Sequence, residues 1–203
     1  MCTFPFLTVA LVSPAAVGEP SVQFQHARSL YYRGIDGDER AYRSAAEMFS
    51  RLYDTDKKAP IVEVYYGSLR LLEASRTWAL WKKNGLSREG IELMDRAVSA
   101  EPQNLEIRFV RAATTYHLPG FFHRKQQSQE DFAFLALRAA EAVRKGTFEP
   151  RLAAASLYFH GESLEKSGQK TMAEENWRSA LAIAPDSPAA RSAREKLKEL
   201  NHQ

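Results

Sequence analysis

The sequence predicts an all-α protein built from helical hairpins that follow one another along the chain. Apolar residues recur at helical spacing from residue 20 onward, and there is almost no period-two alternation of the kind that strands show. Four prolines, each just before a new helical pattern, are separated by 42, 48 and 35 residues. This period is typical of helical repeats, in which each hairpin buries its apolar face only against its neighbours. The four prolines are Pro60, Pro102, Pro150 and Pro185.

The composition is ordinary for a globular chain and argues against some functions. Of 203 residues, 44% are hydrophobic and 26% are charged. The net charge of +3 is small, and acidic residues lie among the basic ones, which disfavours a nucleic-acid partner. The only cysteine is Cys2, so the sequence excludes an intrachain disulfide and a thiolate metal cluster.

Residues 1–18 carry no charge and predict a cleaved export signal. The apolar run 4–12 is followed by small residues at 16–18, as at a signal-peptidase site, although no Lys or Arg precedes the run. A membrane span would need about 20 apolar residues. We therefore expect a periplasmic or secreted protein with no stable membrane span in its mature chain, and a cytoplasmic one if the segment is not a signal.

The remaining segment, residues 19–203, is predicted to be one helical-repeat domain. Its turn signals and prolines mark the ends of the repeat units. The units are approximately 21–59, 60–103, 104–149 and 150–186, followed by a capping helix at 187–201.

The first unit is marked by a glycine-containing turn at 34–38. Ala45 and Phe49 follow this turn on one helical stripe.

The second unit predicts a long first helix that continues through Trp78 and Trp81 to Lys83. Gly67 in this helix and Gly90 in the next would let the two helices approach closely. We expect both tryptophans to pack against the partner helix, because large aromatic side chains supply much of a protein's buried area. The alternative is an aromatic platform on the edge of the stack.

The third unit contains an insertion, residues 117–127, between its two helices. Because of this insertion, the second helix of the unit begins later in the sequence than it would in a repeat without it. The predicted apolar stripes are Phe109, Ala113 and Tyr116 in the first helix, and Ala133, Leu137 and Ala140 in the second.

The fourth unit has the most specific pattern. Gly161 and Ala173 leave room for two helices to pack closely, and Trp177 fills the space between hairpins. The stripes are Leu157, Gly161 and Leu164, then Ala173, Trp177 and Ala180, with Pro185 closing the unit.

At this spacing the fourth unit resembles the tetratricopeptide repeat, and the resemblance extends loosely over nearly all of residues 19–203. The family resemblance implies a right-handed α-solenoid of about four antiparallel hairpins with a C-terminal capping helix. It also implies a ligand groove lined by the first helix of each hairpin.

The same resemblance implies which side chains face a partner. Their mixture of polar, charged and aromatic groups suits an extended peptide or a helix. They are Val110, Thr114 and His117 in the third unit and Tyr158, Glu162 and Lys166 in the fourth.

The inserted loop adds four further candidates: Phe121, Phe122, His123 and Arg124. Two adjacent phenylalanines cannot both point inward from an extended loop. They predict either a lid over the edge of the stack or an exposed aromatic anchor for a partner.

The sequence contains no pattern that predicts catalysis. It has no glycine-rich phosphate loop, no paired-histidine zinc helix and no nucleophile elbow. His117 and His123 could offer two metal ligands, but a zinc site usually takes three or four. We therefore expect no metal, no cofactor and no enzymatic activity.

These observations favour a non-catalytic scaffold or adaptor that binds a protein or peptide segment. The alternative is an envelope carrier or transport-accessory protein with an apolar cavity, which organic extraction of a bound small molecule would reveal. An enzyme on a helical scaffold is the least favoured interpretation.

Overall fold

A computed structural model describes residues 21–55 and 59–201 of the chain. In these ranges the protein is all-helical, with nine α-helices, one 3₁₀ turn and no β-strand. The predicted export signal at 1–18 lies outside the described residues. The helices are α1 (Val22–Ile35), α2 (Glu39–Thr55), α3 (Pro60–Arg76), α4 (Leu80–Ala100), α5 (Leu105–Thr115), α6 (Lys125–Arg144), α7 (Pro150–Lys166), α8 (Lys170–Ile183) and α9 (Pro188–Asn201).

Prolines and short polar side chains set the starts of the helices. Pro60 and Pro150 occupy the first turns of α3 and α7, where a missing backbone N–H costs nothing. The Ser21 hydroxyl caps α1, and the Asn104 side chain accepts from two backbone N–H groups of α5. The proline spacing therefore marks true hairpin boundaries.

The helices pack in chain order. Each helix contacts the next one, and α3, α5, α7 and α9 also pack on one another in succession. Helices α3 and α5 run in the same direction, because Tyr65 and Ser68 of α3 bond to Glu106 and Thr114 of α5 in the same order. The turn after α3 and the loop after α5 therefore lie on the same side of these two helices.

Small residues allow close helix contacts inside the hairpins. A Cβ atom on Gly67 would lie 2.8 Å from the carbonyl oxygen of Gly90, so the backbones of α3 and α4 touch. A Cβ atom on Gly161 would lie 2.4 Å from Nε1 of Trp177, which is completely buried. The close approach predicted at Gly67 and Gly161 is confirmed.

The third hairpin is held together by a buried ion-pair cluster. Asp131 of α6 is 1% exposed and accepts hydrogen bonds from Arg108 and Arg111 of α5. Arg111 also pairs with Asp95 of α4 at 3.2 Å. A buried carboxylate needs such partners, because desolvation of an unpaired charge is costly.

The predicted position of two tryptophans is wrong. The chain leaves the helix after Arg76, passes through extended residues 77–79 and enters α4 at Leu80, so there is no continuous helix to Lys83. Trp78 is 87% exposed and Trp81 is 76% exposed, since the break turns both side chains away from the stack. The alternative, an exposed aromatic edge, is what the structure contains.

The predicted apolar stripe of α6 is also wrong. Leu137 is 83% exposed, whereas Phe132, Leu135 and Ala139 are buried. This alanine-rich helix has two apolar stripes, and the neighbouring helices cover the one that carries the larger side chains. The helix begins at Lys125, slightly earlier than the predicted insertion would allow.

The last helix covers the end of the stack. α9 packs on both α7 and α8, and Ala193 on its inner side is completely buried. Lys196 of α9 pairs with Glu165 of α7 at 2.9 Å. The outer side of α9 is polar, as a terminal helix facing solvent requires.

Candidate partner-binding surface

The first helices of the hairpins meet in a network of charged and aromatic side chains. Arg28 of α1 donates to Glu106 of α5 at 2.6 Å and to Glu149, just before α7, at 2.6 Å. The Tyr65 hydroxyl of α3 donates to the same Glu106 at 2.6 Å and is bonded to the Tyr32 hydroxyl at 2.8 Å. This network lies between helices α1 and α3 and the starts of α5 and α7.

A second chain of hydrogen bonds engages Thr114, one of the predicted contact residues. The Thr114 hydroxyl is bonded to Ser68 at 2.8 Å and donates to the carbonyl oxygen of Val110 at 2.6 Å. Ser68 is in turn bonded to the Tyr31 hydroxyl at 2.8 Å. Val110 itself is 1% exposed. Thus Val110 and Thr114 stabilise the helix packing, and Val110 has no surface to offer a partner.

Further along the same surface, four of the predicted residues come together around Tyr116. The His117 ring lies 4.8 Å from the Tyr116 ring, and the Lys166 ammonium lies 5.7 Å from the centre of that ring. The remaining two, Tyr158 and Glu162, belong to the facing part of α7. We call His117, Tyr158, Glu162 and Lys166, together with Tyr116 and Phe159, the α5–α7 patch.

Aromatic contacts fix the shape of this patch. The Phe159 ring packs 5.3 Å from the Tyr116 ring, 6.0 Å from the His117 ring and 5.3 Å from the Tyr158 ring. Ring pairs at these distances are favourable and resist reorientation. The polar groups of the patch are therefore carried on a rigid aromatic base that joins two successive hairpins.

One hydroxyl in the patch is unsatisfied. Tyr116 is 6% exposed, and its hydroxyl oxygen is buried without a hydrogen-bond partner in the described part of the chain. Burial raises the pKa of Tyr116, the charge of Lys166 lowers it and the charge of Glu162 raises it, so the hydroxyl lies near both groups. A buried polar group without a partner is rare and destabilising.

Polar and charged groups of the patch are available to contact a partner. Burial, together with the negative charge of Glu162, raises the pKa of Tyr158 to about 12, so this side chain stays neutral and able to donate. Lys166 is exposed and forms no ion pair with any residue that the structure describes. The patch therefore presents the Tyr158 hydroxyl, an ammonium group and a carboxylate, while the Tyr116 hydroxyl lies buried beneath them.

The inserted loop places its four predicted residues in different environments. Phe122 packs on the core, whereas Phe121 is 72% exposed, with its ring 4.5 Å from that of Phe122. Arg124 donates to Asp95 of α4 at 2.7 Å, which fixes the end of the loop. His123 is exposed and adopts a left-handed conformation with φ of 53°. One phenylalanine thus acts as the lid and the other as the exposed aromatic group.

The described residues offer no alternative site with a clear chemistry. Within residues 21–55 and 59–201, no three histidine, cysteine or acidic side chains are grouped so that they could hold a metal ion. The described clefts are open surface grooves; one of about 470 Å³ lies between α2 and α3 beside Tyr42 and Tyr66.

No helix in the described part of the chain has the length and the apolar character needed to cross a membrane.

Two residues at the centre of the patch were not predicted as site residues. Tyr116 was assigned to the apolar stripe of its helix, and Phe159 carried no signal beyond its aromatic type. Tyr116 is buried as that assignment requires. Its unsatisfied hydroxyl depends on contacts between α5 and α7, which periodicity along one helix cannot reveal.

Comparison with known proteins finds no matching family model, no matching curated protein and no matching solved structure.

Proposed function

We propose that this chain is a tetratricopeptide-like, right-handed α-solenoid that serves as a non-catalytic scaffold or adaptor. Its partner is a peptide or protein segment that binds at the α5–α7 patch. The sequential helix packing and the glycine contacts within hairpins support the repeat architecture.

The observation that carries the proposal is the exposed ammonium group of Lys166, which forms no ion pair with a described residue and lies 5.7 Å from the centre of the Tyr116 ring. An acidic side chain is a suitable partner for this ammonium group, and a peptide backbone carbonyl is a suitable acceptor for the half-buried Tyr158 hydroxyl. The exposed Phe121 ring of the inserted loop is a further, apolar contact for the partner. A partner segment that contains both acidic and apolar residues would suit these groups.

Affinity selection from a random peptide library tests this function. Peptides selected on the wild-type protein are measured against Tyr158→Ala/Lys166→Glu, for which we expect at least about a tenfold loss of affinity from the removed contacts. The matched control, Leu137→Ala/Lys145→Glu, makes similar changes on the outer surface of α6 and should bind normally.

A second variant separates the aromatic base from its buried oxygen. Tyr116→Phe keeps the ring and removes only the inaccessible oxygen, so the affinity for the selected peptides should stay within about twofold of the wild type, well below the effect of one lost hydrogen bond. Thermal stability should stay the same or rise, because an unsatisfied buried group is lost. Selected peptides that bind all variants equally well would contradict the proposal.

A further inference from the structure

The α3–α4 tip, residues 77–83, exposes two tryptophans side by side. Trp78 is 87% exposed and Trp81 is 76% exposed, and their rings form an edge-to-face pair with centres 6.3 Å apart. The remaining tryptophan, Trp177, is completely buried. Large aromatic side chains usually lose most of their surface on folding, so an exposed pair indicates a surface that is covered by something outside the chain.

The tip carries one basic side chain without an ion-pair partner among the described residues. Residues 77–88 contain Lys82, Lys83 and Arg88 and no acidic residue. Lys82 pairs with Glu73 at 3.1 Å and Arg88 with Glu92 at 3.9 Å, whereas Lys83 is exposed and forms no ion pair with a described residue. The surface that covers the tryptophans is therefore expected to be negatively charged.

The tip also extends beyond the end of helix α5. Helix α4 has 21 residues and its neighbour α5 has 11, and the Arg111–Asp95 pair at 3.2 Å fixes their relative height. At 1.5 Å per residue, the start of α4 then extends about 15 Å beyond the end of α5. The two tryptophans therefore lie at an end of the second hairpin that extends past helix α5.

We propose that the α3–α4 tip docks the protein on an anionic membrane surface. Tryptophan favours the boundary between water and lipid, because its ring is apolar and its indole N–H needs a polar partner. Lysine stems extend along apolar surface while their ammonium groups reach lipid phosphates. A projecting aromatic pair suits a penetrable lipid surface better than a rigid protein, which would need a matching cavity. The contact is peripheral and independent of the α5–α7 patch.

Vesicle binding tests the proposal with the full chain. Wild-type protein should co-sediment with vesicles of phosphatidylcholine and phosphatidylglycerol and bind much less to phosphatidylcholine alone. Tryptophan emission should shift to shorter wavelength on binding. Because Trp177 is already buried, that shift reports Trp78 and Trp81.

Two variants separate the aromatic and the charge contributions. Trp78→Ala/Trp81→Ala should lower the partition coefficient at least about tenfold, from the lost apolar contact. Lys83→Gln should lower it about fivefold and weaken its salt dependence, because Lys83 is the tip cation that forms no ion pair with a described residue. Leu137→Ala, which removes another exposed apolar side chain, should bind like the wild type.

Three outcomes would overturn the proposal: no binding to anionic vesicles, binding that the tryptophan variant does not weaken, or tryptophan-dependent self-association in sedimentation experiments without lipid. The last result would assign the tip to an interface between copies of the chain. Tyr158→Ala/Lys166→Glu should retain vesicle binding, so a failure of peptide binding and a failure of membrane docking are distinguishable.

Discussion

At the scale of single residues, the packing of the fourth hairpin requires glycine at position 161, because a Cβ atom there would collide with the Trp177 ring. The Trp177 ring occupies the space where a side chain would begin, and its Nε1 donates to the carbonyl oxygen of Tyr158 at 3.2 Å. The same contact that holds the hairpin together thus also positions the backbone of the α5–α7 patch. A change at Gly161 should affect both stability and partner binding.

We predict that Gly161→Ala lowers the free energy of unfolding by about 2 kcal/mol. The new Cβ atom would lie 2.4 Å from Nε1 of the fully buried Trp177, and this overpacking outweighs the gain of about 1 kcal/mol in helix propensity. Urea denaturation measures the change. The control is Gly85→Ala, an exposed helical position with no atom near the new Cβ, which should stabilise the protein by about 0.5–1 kcal/mol. Equal effects at the two glycines would contradict the packing argument.

At the scale of helices, a half-buried tyrosine of α1 and a buried tyrosine of α3 join these two helices. The Tyr32 and Tyr65 hydroxyls are bonded to each other at 2.8 Å, and Tyr65 also donates to Glu106. Burial, supported by the charge of Glu106, raises the pKa of Tyr32 well above the usual range, and burial does the same for Tyr65. Both side chains must therefore remain protonated for this contact to persist.

The pH dependence of stability follows from these shifts. Above about pH 10 the unfolded chain releases tyrosine protons that the folded chain keeps, so stability falls as the pH rises. Each of the two tyrosines contributes up to about 1.4 kcal/mol per pH unit. We predict that Tyr32→Phe, compared with the wild type by urea denaturation between about pH 9 and pH 11, shows a shallower decline. An unchanged slope would mean that the pKa of Tyr32 is the same in the folded and the unfolded chain, which would contradict the prediction.

At the scale of the whole molecule, salt bridges connect hairpins that are not neighbours in the chain. Arg28 of the first hairpin binds Glu106 of the third and Glu149 at the start of the fourth, and Arg151 of the fourth pairs with Asp36 after α1. An array with only nearest-neighbour contacts can fray from its ends. These connections tie the first hairpin to the rest of the stack and should make unfolding more cooperative.

We predict that Arg28→Met lowers the free energy of unfolding by about 2–3 kcal/mol, because two partly buried carboxylates lose their partner. Amide hydrogen exchange should show α1 opening separately from the other helices. Arg178→Met is the control, since Arg178 pairs with Glu174 of the same helix on an exposed surface, and its loss should have no measurable effect. If the amide hydrogens of α1 exchanged no faster than those of the other helices in Arg28→Met, the proposed coupling between the first hairpin and the rest of the protein would be contradicted.

The sequence by itself determined the hairpins. Proline positions, small residues such as Gly67 and Gly161, and the stripe around Trp177 act between segments close together in the chain, so periodicity reveals them. The tertiary structure alone decided which apolar stripe of α6 is covered and where α3 ends, since residues 77–79 contain neither proline nor glycine. It also decided the partners of Arg28, which lie 78 and 121 residues away. Pairing over such distances leaves no local pattern, because it depends on how successive hairpins are rotated against one another.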